Sequence, residues 1–596
     1  MEKKKWSPRF LILAVAVLVI STFAAWFVAS NYGKTEIKRY TVPAEDGMKM
    51  SYIAWVPENA TNEEPAPAVV IFPGRSSNGH QLDNWAMEYA RNGYVGITVD
   101  WNGNGETDLM TTQEDYVQAV MDSVLSMPFV DAENIAVLGN SAGNAAATAA
   151  CTMYPDNVVA YIDDVHPQLF AELPENVNTI IIEAAHDQYV THFVGDQDAV
   201  FEAVTEKWGL DEPVEEGKLY GSAEDGTLRQ FVVTNTIHQT SSLDSAGIKA
   251  SAEFLNEVFP DTGVSAGGSI FWIYQFFQLI GYAGIIMFVL AFGITLYENI
   301  PYFRAIGNEV TENKGLRGGA LVRNVIVALA IPLITFFPVS WLFHNAEFLN
   351  PVFRSRNLRG IIGWLVTNAV ITLIMVGYKA MKAKKSGKPM TPAEFGFAGD
   401  GEKFQWYKVG RAFVLALITV LTTYAWVAVV EDVSGLNYQI WNVLNISRIP
   451  ANRIFAAIPF VCCTVIIMLA GNIGMNTSRR LADTGRPKRD MAVQVILNVF
   501  VSAGVVTGLL LAQYGIGQLT SVYIMPQFEN LGGGGTSSGA LDFAFGFPLI
   551  MGFSGGMSTY FFRKTNNIWI GLFISANLGG LVGVIGATFI TGHAVM

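Results

Sequence analysis

Apolar residues form long uninterrupted runs along much of the chain. One such run lies at about residues 10–29, and the others follow residue 270. Each run is long enough to cross a bilayer as a helix, which rises 1.5 Å per residue. The runs predict nine membrane spans, at about 10–29, 270–297, 319–343, 360–378, 410–430, 452–474, 490–514, 541–561 and 567–592.

Residues 31–267 have a different pattern, in which short apolar runs alternate with helix-period segments. The short runs predict strands at 49–56, 67–72, 95–100, 134–139, 158–164, 178–184 and 228–235. Helices are predicted between them, at about 82–92, 112–127, 142–153, 196–208 and 243–258. Near-continuous apolar strands that alternate with helices indicate a mostly parallel sheet covered on both faces. The sequence therefore predicts an N-terminal anchor (1–30), a doubly wound α/β domain (31–267) and an all-α polytopic membrane domain (268–596) with about eight spans.

Charge separates the same parts of the chain. Residues 31–267 hold 37 Asp or Glu and 10 Lys or Arg, a net charge of −27, whereas the rest of the chain has a net charge of +14. Because an acidic soluble domain repels phosphates, nucleic acid is not an expected partner. The three cysteines fit neither a disulfide framework nor a zinc-ligand spacing, so no metal or other cofactor is expected.

The distribution of basic residues predicts the orientation of the spans. With a cytoplasmic N-terminus, the inner segments hold 22 Lys or Arg and the outer loops hold 5. The positive-inside rule then places residues 31–267 and the C-terminus outside the cytoplasm, on a multi-pass membrane protein. The first apolar run is longer than a signal-peptide core, so it is predicted to remain as an anchor, with cleavage after Ala29 as the alternative. Periplasm or Gram-positive outer face, and the oligomeric state, stay open.

The sequence Gly139-Asn140-Ser141-Ala142-Gly143 lies between a predicted strand and a predicted helix. In this context G-x-S-x-G forms a nucleophile elbow, a sharp turn that lifts the serine above the sheet. Small neighbours let the strand and helix approach each other, and the helix N-terminus favours negative charge that develops beside the serine. Ser141 is therefore predicted to be a nucleophile, with an ordinary helix N-cap as the alternative.

A serine nucleophile needs a general base that is itself oriented by an acid, here expected in the chain order Ser, acid, His. Asp187 follows the strand at 178–184, and His238 follows the strand at 228–235. Both are therefore expected at the edge of the sheet where functional groups of α/β proteins gather. The alternatives, which fit this order less well, are Asp163 and Asp164 for the acid and His80, His166, His186 and His192 for the base.

An oxyanion hole needs two backbone N–H groups that face the developing negative charge. One is expected from Ala142, which follows the nucleophile. The other is expected from Arg75 in the segment FPGRSS (72–77), where Gly74 permits a close turn.

The segments FPGRSS, GYVGITVDWNGNGET, GNSAG, HDQYV and the IH pair at 237–238 resemble the α/β-hydrolase superfamily, in its dienelactone-hydrolase-like and peptidase-like branch. The resemblance covers roughly 36–260 and implies an α/β-hydrolase fold with Ser141 as nucleophile, Asp187 as acid and His238 as base. One departure is Pro73-Gly74, where many relatives have His-Gly. The eight C-terminal spans show no such resemblance.

These observations predict a membrane-anchored, extracytoplasmic serine hydrolase that cleaves an ester, thioester or amide bond in a small-molecule, lipid or peptide substrate. Only about 13 residues separate the strands at 158–164 and 178–184, too few for a cap domain. The membrane domain is therefore expected to cover the site and to bring in an amphiphilic or lipid-linked substrate. The alternatives are an acyltransferase that uses the same acyl-enzyme, and a transporter or sensor whose ectodomain only binds. The lack of charges at the centres of the C-terminal spans argues against transport.

Five arginines lie in the predicted outer loops, against the general trend of the basic residues. In one interpretation they dock the acidic domain or contact lipid headgroups, and in the other they hold an anionic group of the substrate near Ser141. These residues are Arg354, Arg356, Arg359, Arg448 and Arg453.

Overall fold

The computed structural model describes residues 7–44, 47–75, 77–166, 176–310, 315–440, 444–523, 541 and 544–585. Some parts of the predictions lie outside these residues, among them residues 1–6 of the anchor, Ser76, residues 542 and 543 of the span at 541–561, the end of the last predicted span (586–592) and the C-terminal tail. All structural statements below concern the described residues.

A nine-stranded sheet forms the centre of the N-terminal part, with the strand order β1-β2-β4-β3-β5-β6-β7-β9-β8. The strands are β1 (Thr35–Pro43), β2 (Lys49–Pro57), β3 (Ala66–Phe72), β4 (Val95–Val99), β5 (Val130–Asn140), β6 (Val158–Asp164), β7 (Asn178–Ala184), β8 (Leu219–Tyr220) and β9 (Arg229–Thr234). The pairs from β4 through β9 are parallel, and the antiparallel pairs are β1/β2, β2/β4 and β8/β9. The predicted mostly parallel sheet is confirmed.

Helices cover both faces of this sheet. They are α2 (Asp83–Arg91), α3 (Gln113–Leu125), α4 (Asn144–Met153), α5 (Gln188–Phe193), α6 (Gln197–Lys207) and α7 (Ser245–Val258). Alternate residues of β3 enter different apolar clusters: Val69 and Ile71 lie in one, and Val70 and Phe72 lie in the other. Because both faces of β3 are buried, its sequence is a continuous apolar run and does not alternate with polar residues.

Seven described helices are long and apolar enough to cross a membrane, which indicates a membrane protein. They are α1 (Ser7–Ala29), α8 (Phe271–Asn299), α10 (Gly318–His344), α11 (Arg356–Lys385), α12 (Trp406–Ser434), α13 (Ile454–Ser478) and the continuous stretch Pro487–Thr520. That last stretch consists of α14 (Pro487–Leu510), a π-helical turn (Leu511–Gly515) and α15 (Ile516–Thr520). The short helix α9 (Pro301–Arg304) follows α8.

The remaining two predicted spans are helical but differ from these seven. Helix α16 (Phe547–Thr565) is interrupted by Gly and Ser, and its mean hydropathy does not reach that of the long helices. Helix α17 (Trp569–Ile585) is shorter than a typical span within the described residues. Nine spans therefore remain a prediction.

The first helix packs along α8, the first membrane helix after the sheet. A Cβ atom at Gly284 of α8 would lie 3.1 Å from the Cα atom of Leu18, so the two backbones approach closely. The Thr22 hydroxyl of α1 also hydrogen-bonds the Tyr438 hydroxyl of a small hairpin, β10 (Tyr438–Ile440) and β11 (Leu444–Ile446), which joins α12 to α13. Small residues at such crossings let membrane helices pack tightly.

Candidate active site

The serine turn has the geometry that the G-x-S-x-G sequence predicts. Strand β5 ends at Asn140, and Ser141 has a φ angle of +52°, a strained conformation for a residue that is not glycine. A Cβ atom at Gly139 would lie 2.4 Å from the Cα atom of Asn144, and one at Gly143 would lie 2.1 Å from the carbonyl oxygen of Phe72. Only glycine therefore fits on either side of the turn.

Three side chains that are distant in sequence meet at this turn. Nε2 of His238 lies 2.8 Å from Oγ of Ser141, and Nδ1 of His238 lies 2.6 Å from Oδ2 of Asp187. The Asp187 carboxylate is fully buried, and the His238 side chain is 13% exposed. In the tautomer that carries its proton on Nδ1, His238 donates to Asp187, and Nε2 can accept the proton of Ser141. The structure thus joins the three residues in the predicted order.

Local contacts hold both Asp187 and the imidazole of His238 in place. Asp187 is the N-cap of α5, and its Oδ1 accepts the backbone N–H of Tyr189 at 2.7 Å. The ring of Tyr189 packs against the ring of His238 in an edge-to-face geometry, with centroids 4.7 Å apart. Each carboxylate oxygen of Asp187 therefore has its own partner, which fixes the orientation of the acid.

The alternative acids and bases have other partners. Asp163 pairs with His166 at 3.2 Å, and His80 pairs with Asp83 at 2.9 Å. The His186 ring contacts Ser521 and Asn235, and His192 lies where side chains are not described. Within the described residues, the Ser141 hydroxyl is thus joined to His238, and His238 to Asp187.

The two predicted oxyanion donors belong to chain segments that meet beside Ser141. Ala142 follows the nucleophile in the 3-10 turn Ser141–Gly143. The loop that carries Arg75 is close to the same point, because a Cβ atom at Gly74 would lie 3.5 Å from the Cβ atom of Ser141. The donor roles of Ala142 and Arg75 remain predictions.

Asn140 connects the nucleophile turn to the buried acid Asp164. Asp164 was one of the alternatives to Asp187 for the acid that orients the histidine. Nδ2 of Asn140 donates to Oδ2 of Asp164 at 2.6 Å and to Oγ of Ser241 at 2.9 Å. Burial raises the pKa of Asp164 to about 8, against the opposing effect of the Asn140 hydrogen bond. Asp164 is therefore mainly protonated at pH 7. In the sequence, the buried position of Asp164 is indicated only by the pair Asp163-Asp164 at the end of an apolar strand.

A second buried acid lies at the end of β7. Glu183 is fully buried, and its Oε1 accepts the backbone N–H of Ala184 at 3.0 Å. Burial raises the pKa of Glu183 well above its ordinary value, and the neighbouring charge of Asp187 raises it further. Glu183 lies in no sequence motif that predicts this buried position.

Residues of α15 and of the segment that follows it contact both loops that carry Asp187 and His238. Ser521 Oγ lies 2.7 Å from Nδ1 of His186, and the Tyr523 hydroxyl donates to the His186 carbonyl oxygen. Gln518 Nε2 donates to the carbonyl oxygen of Asn235 at 3.2 Å. Ile237 is buried in one apolar cluster with residues of α10, α11 and α14, including Phe336, Trp364 and Leu510. These contacts join residues that are far apart in sequence and lie in no common motif, so no local pattern predicts them.

The order of these elements identifies the fold of the N-terminal part. A mostly parallel sheet carries the serine turn after β5, the acid after β7 and the histidine after β9, which is the arrangement of α/β hydrolases. Residues 35–258 have the α/β-hydrolase fold. They are called the hydrolase unit below.

Comparisons with known proteins give matches to part of the chain. No family model matches the chain. The chain is 28% identical to the esterase FrsA of Vibrio vulnificus over 134 residues, which are 21% of this chain and 30% of FrsA. The chain thus spans less than a third of the length of the curated relatives that it matches.

Solved structures with similarity to this chain include three hydrolases. The dienelactone-hydrolase-like promiscuous phosphotriesterase P91, from metagenomic libraries, is 15% identical, with a TM-score of 0.29 over 38% of this chain and 100% of that one. An α/β hydrolase of Novosphingobium aromaticivorans is 11% identical, with a TM-score of 0.28 over 37% and 99%. The Pyrococcus furiosus esterase Pf2001 is 16% identical, with a TM-score of 0.28 over 37% and 92%.

Three arginines of the predicted outer loops, Arg359, Arg448 and Arg453, contact other parts of the structure. Arg448 Nε lies 2.6 Å from Oε1 of Glu106, and Arg453 donates to the carbonyl oxygen of Gly103 at 2.8 Å. Arg359 donates to the last carbonyl oxygens of α10. For Arg448 and Arg453 these contacts match the docking interpretation. Among the described residues, no three His, Cys, Asp or Glu side chains are grouped as a metal site would require.

Proposed function

We propose that this protein is a membrane-anchored serine hydrolase that opens an acyl bond through Ser141, His238 and Asp187. The observation that carries the proposal is the continuous hydrogen-bonded series from Asp187 to His238 to Ser141, at a strained turn. A helix N-cap would need neither a histidine nor a buried acid beside it. The esterase and hydrolase folds found by comparison support the same reaction class.

The geometry supports a two-step mechanism. His238 Nε2 takes the proton of Ser141 while Oγ attacks the carbonyl carbon, and Asp187 stabilises the imidazolium that forms. The backbone N–H groups of Ala142 and Arg75 donate to the oxyanion of the tetrahedral intermediate. His238 then protonates the leaving group, and an acyl-enzyme remains on Ser141. Water, activated by His238, attacks this ester and releases the acid.

The contacts with the membrane helices favour an amphiphilic or lipid-linked substrate. Between β6 and β7 only 13 residues are available for a cap. The loops that follow β7 and β9 instead contact Ser521, Tyr523 and the apolar cluster around Ile237. We expect a substrate that reaches Ser141 beside these helices to meet apolar side chains of the helices as well as the polar loops. The proposed localisation has the hydrolase unit and the C-terminus outside the cytoplasm, as the basic residues predict.

A fluorophosphonate probe tests the nucleophile directly. The full-length protein in detergent micelles should react with the probe, and Ser141→Ala should abolish labelling. Ser123→Ala is a matched control, because Ser123 lies on α3, hydrogen-bonds the hydroxyl of Tyr52 in β2 and should have no effect on labelling. Labelling of Ser141→Ala equal to that of the wild type, or no labelling of the wild type, would contradict the proposal and favour a unit that only binds.

An acyl donor with a labelled acyl group separates hydrolysis from transfer. Release of the labelled free acid, dependent on Ser141, supports the hydrolase. A labelled conjugate in place of the free acid would identify an acyltransferase that shares the acyl-enzyme. Comparing a short soluble ester with a long-chain ester in vesicles tests the substrate class, since an amphiphilic preference predicts a higher kcat/KM for the long chain.

A further inference from the structure

Charged side chains are buried where the hydrolase unit meets the end of membrane helix α12. Glu431, in the last turn of α12, has a side chain that is 4% exposed. Its Oε1 lies 3.9 Å from Nε2 of His80 and 3.8 Å from Nε of Arg39, and both of these residues belong to the hydrolase unit. Its Oε2 accepts the backbone N–H of Arg448 at 2.8 Å. A buried carboxylate of this kind needs its cationic partners.

His80 is one of the two groups of the hydrolase unit that face Glu431. Burial alone lowers the pKa of His80, but the neighbouring carboxylates outweigh burial and raise it to about 9. Nδ1 of His80 lies 2.9 Å from Oδ2 of Asp83, which also accepts from Nε2 of Gln439 at 3.2 Å. His80 is thus charged at neutral pH, with one carboxylate from the hydrolase unit on one side and one from the membrane helix on the other.

These contacts hold the loop that joins β3 to α2, residues 73–82. Asn78 in this loop accepts from Nδ2 of Asn445 in the hairpin that follows α12, at 3.2 Å. The N–H of Gly79 donates to Oδ1 of Asp100 at 2.8 Å, and Oδ2 of Asp100 accepts from Arg39 at 3.0 Å. Arg39 faces Glu431 as well, so the loop is linked to the membrane helix by two routes.

The other end of the same loop lies beside the nucleophile. A Cβ atom at Gly74 would be 2.9 Å from Oδ1 of Asn140 and 3.5 Å from the Cβ atom of Ser141. The proposed oxyanion donor Arg75 is the next residue, five positions before His80. Because only four residues lie between Arg75 and His80, we expect a displacement of His80 to shift Arg75.

We propose that Glu431 is a positioning residue for the hydrolytic reaction: from the membrane helix it holds His80, and through His80 the loop that supplies the second oxyanion donor. This inference rests on the proposed function. It means that the membrane helices form part of the catalytic apparatus, in addition to anchoring it. Oxyanion donors act in the transition state, so their misplacement lowers kcat and leaves KM nearly unchanged.

The test measures kcat and KM for p-nitrophenyl butyrate with the full-length protein in detergent micelles. Glu431→Gln keeps the size of the side chain and removes its charge, and kcat should fall about ten- to hundredfold, as expected when a catalytic group shifts by up to an ångström. The control is Asp432→Asn, because Asp432 is the adjacent residue, is exposed and pairs with Arg448 but not with His80. Its kcat should stay within about twofold of the wild type.

A double-mutant cycle shows whether Glu431 acts through His80. If it does, His80→Gln combined with Glu431→Gln should have a kcat no lower than the lower of the two single variants. Losses of kcat that multiply in the double variant would overturn the inference, as would a Glu431→Gln variant with the kcat of the wild type. A rise of KM without a fall of kcat would overturn it as well.

Two further variants keep the outcome interpretable. If Glu431→Gln does not fold, Asn78→Ala removes the side-chain contact of this loop to Asn445 and leaves the Asn437–Asn445 hydrogen bond in place, and it should lower kcat severalfold at an unchanged unfolding temperature. An unchanged kcat in Asn78→Ala would then overturn the inference. Ser141→Ala distinguishes the two proposals: hydrolysis that persists in Ser141→Ala contradicts the proposed function itself. An inactive Ser141→Ala together with a fully active Glu431→Gln contradicts only the positioning role.

Discussion

Ile237 and His238 are adjacent in sequence but belong to different parts of the molecule. His238 contacts Ser141 at 2.8 Å, whereas Ile237 is buried among side chains of the membrane helices. One peptide unit thus separates the proposed general base from the apolar core of the membrane domain. We therefore expect the position of the His238 imidazole to depend on how the loop that follows β9 packs against the helices.

Replacement of Ile237 by Ala should therefore reduce activity as well as stability. Truncating a buried Ile typically costs about 2–5 kcal/mol of unfolding free energy. In this protein the loop that carries His238 also loses its apolar contact with the membrane helices. Val233→Ala is the control. Val233 lies in β9, four positions before Ile237, but it packs in a different apolar cluster, which contains no residue of the membrane helices. We expect a larger fall of kcat for Ile237→Ala than for Val233→Ala at a matched unfolding temperature. Equal kcat values would contradict the dependence.

Neutralising Asp187 should leave the fold intact and remove most of the activity. Asp187→Asn keeps an N-cap for α5 but no longer stabilises the imidazolium, so kcat should fall about 10³–10⁴-fold. Asp196 caps α6 in the same way, with Oδ1 at 2.9 Å from the N–H of Ala199, but does not contact His238. Asp196→Asn should keep its activity. Steady-state kinetics of the two variants, compared with circular dichroism, check this prediction.

Adding a methyl group at Gly143 should disrupt the serine turn. The new Cβ would lie 2.1 Å from the carbonyl oxygen of Phe72 and 2.7 Å from that of Pro73, and neither backbone group can rotate away. Overpacking of this kind costs about 1–3 kcal/mol or more. Gly143→Ala should lower both the unfolding temperature and fluorophosphonate labelling. Gly268→Ala, where the new Cβ meets open space, should change neither.

The buried Asp164 predicts a specific dependence of stability on pH. Its pKa is raised to about 8 in the folded protein, so the folded state binds its proton more tightly than the unfolded chain does. Its contribution to stability is complete below the unfolded pKa near 4 and is lost as the pH rises through about 8. Asp164→Asn should flatten the decline of the unfolding temperature between pH 5 and pH 9. Asp156→Asn, at an exposed position, should leave it as in the wild type.

The proposed sidedness can be checked by labelling with a membrane-impermeant maleimide. Asp211→Cys in the hydrolase unit should react in intact cells, and Lys384→Cys at the end of α11 should react only after permeabilisation. Both positions are exposed, whereas the native Cys151 is buried. Cys462 and Cys463 are replaced by Ala to remove background. The opposite labelling pattern would reverse the proposed orientation.

Much of the fold was predictable because its signals are local. Each predicted strand of the hydrolase unit is present, since buried parallel strands are continuous apolar runs. Strand β1 (TEIKRYTVP) was missed because it is a half-exposed edge strand with several charged residues. Helix α5 was missed because its six residues are too few to show a helical period.

The Ser141, Asp187 and His238 set was predictable for a different reason. Each residue lies within four positions of the end of a strand with a clear sequence signal, so the topology alone brings the three together. The contact of His80 with Glu431 has no such signal, because 351 positions separate the two residues and neither lies in a motif. The burial of Ile237 among the membrane helices was hidden likewise, since its partners come from three separate helices.

The pairing of α1 with α8 determines how the hydrolase unit is inserted into the chain. Because the Gly284 backbone lies against Leu18, the polypeptide leaves one helix and returns through its immediate neighbour. The hydrolase unit is thus inserted between two helices that pack against each other. Because the chain connects both ends of the hydrolase unit to adjacent helices, the unit is less free to rotate relative to these helices.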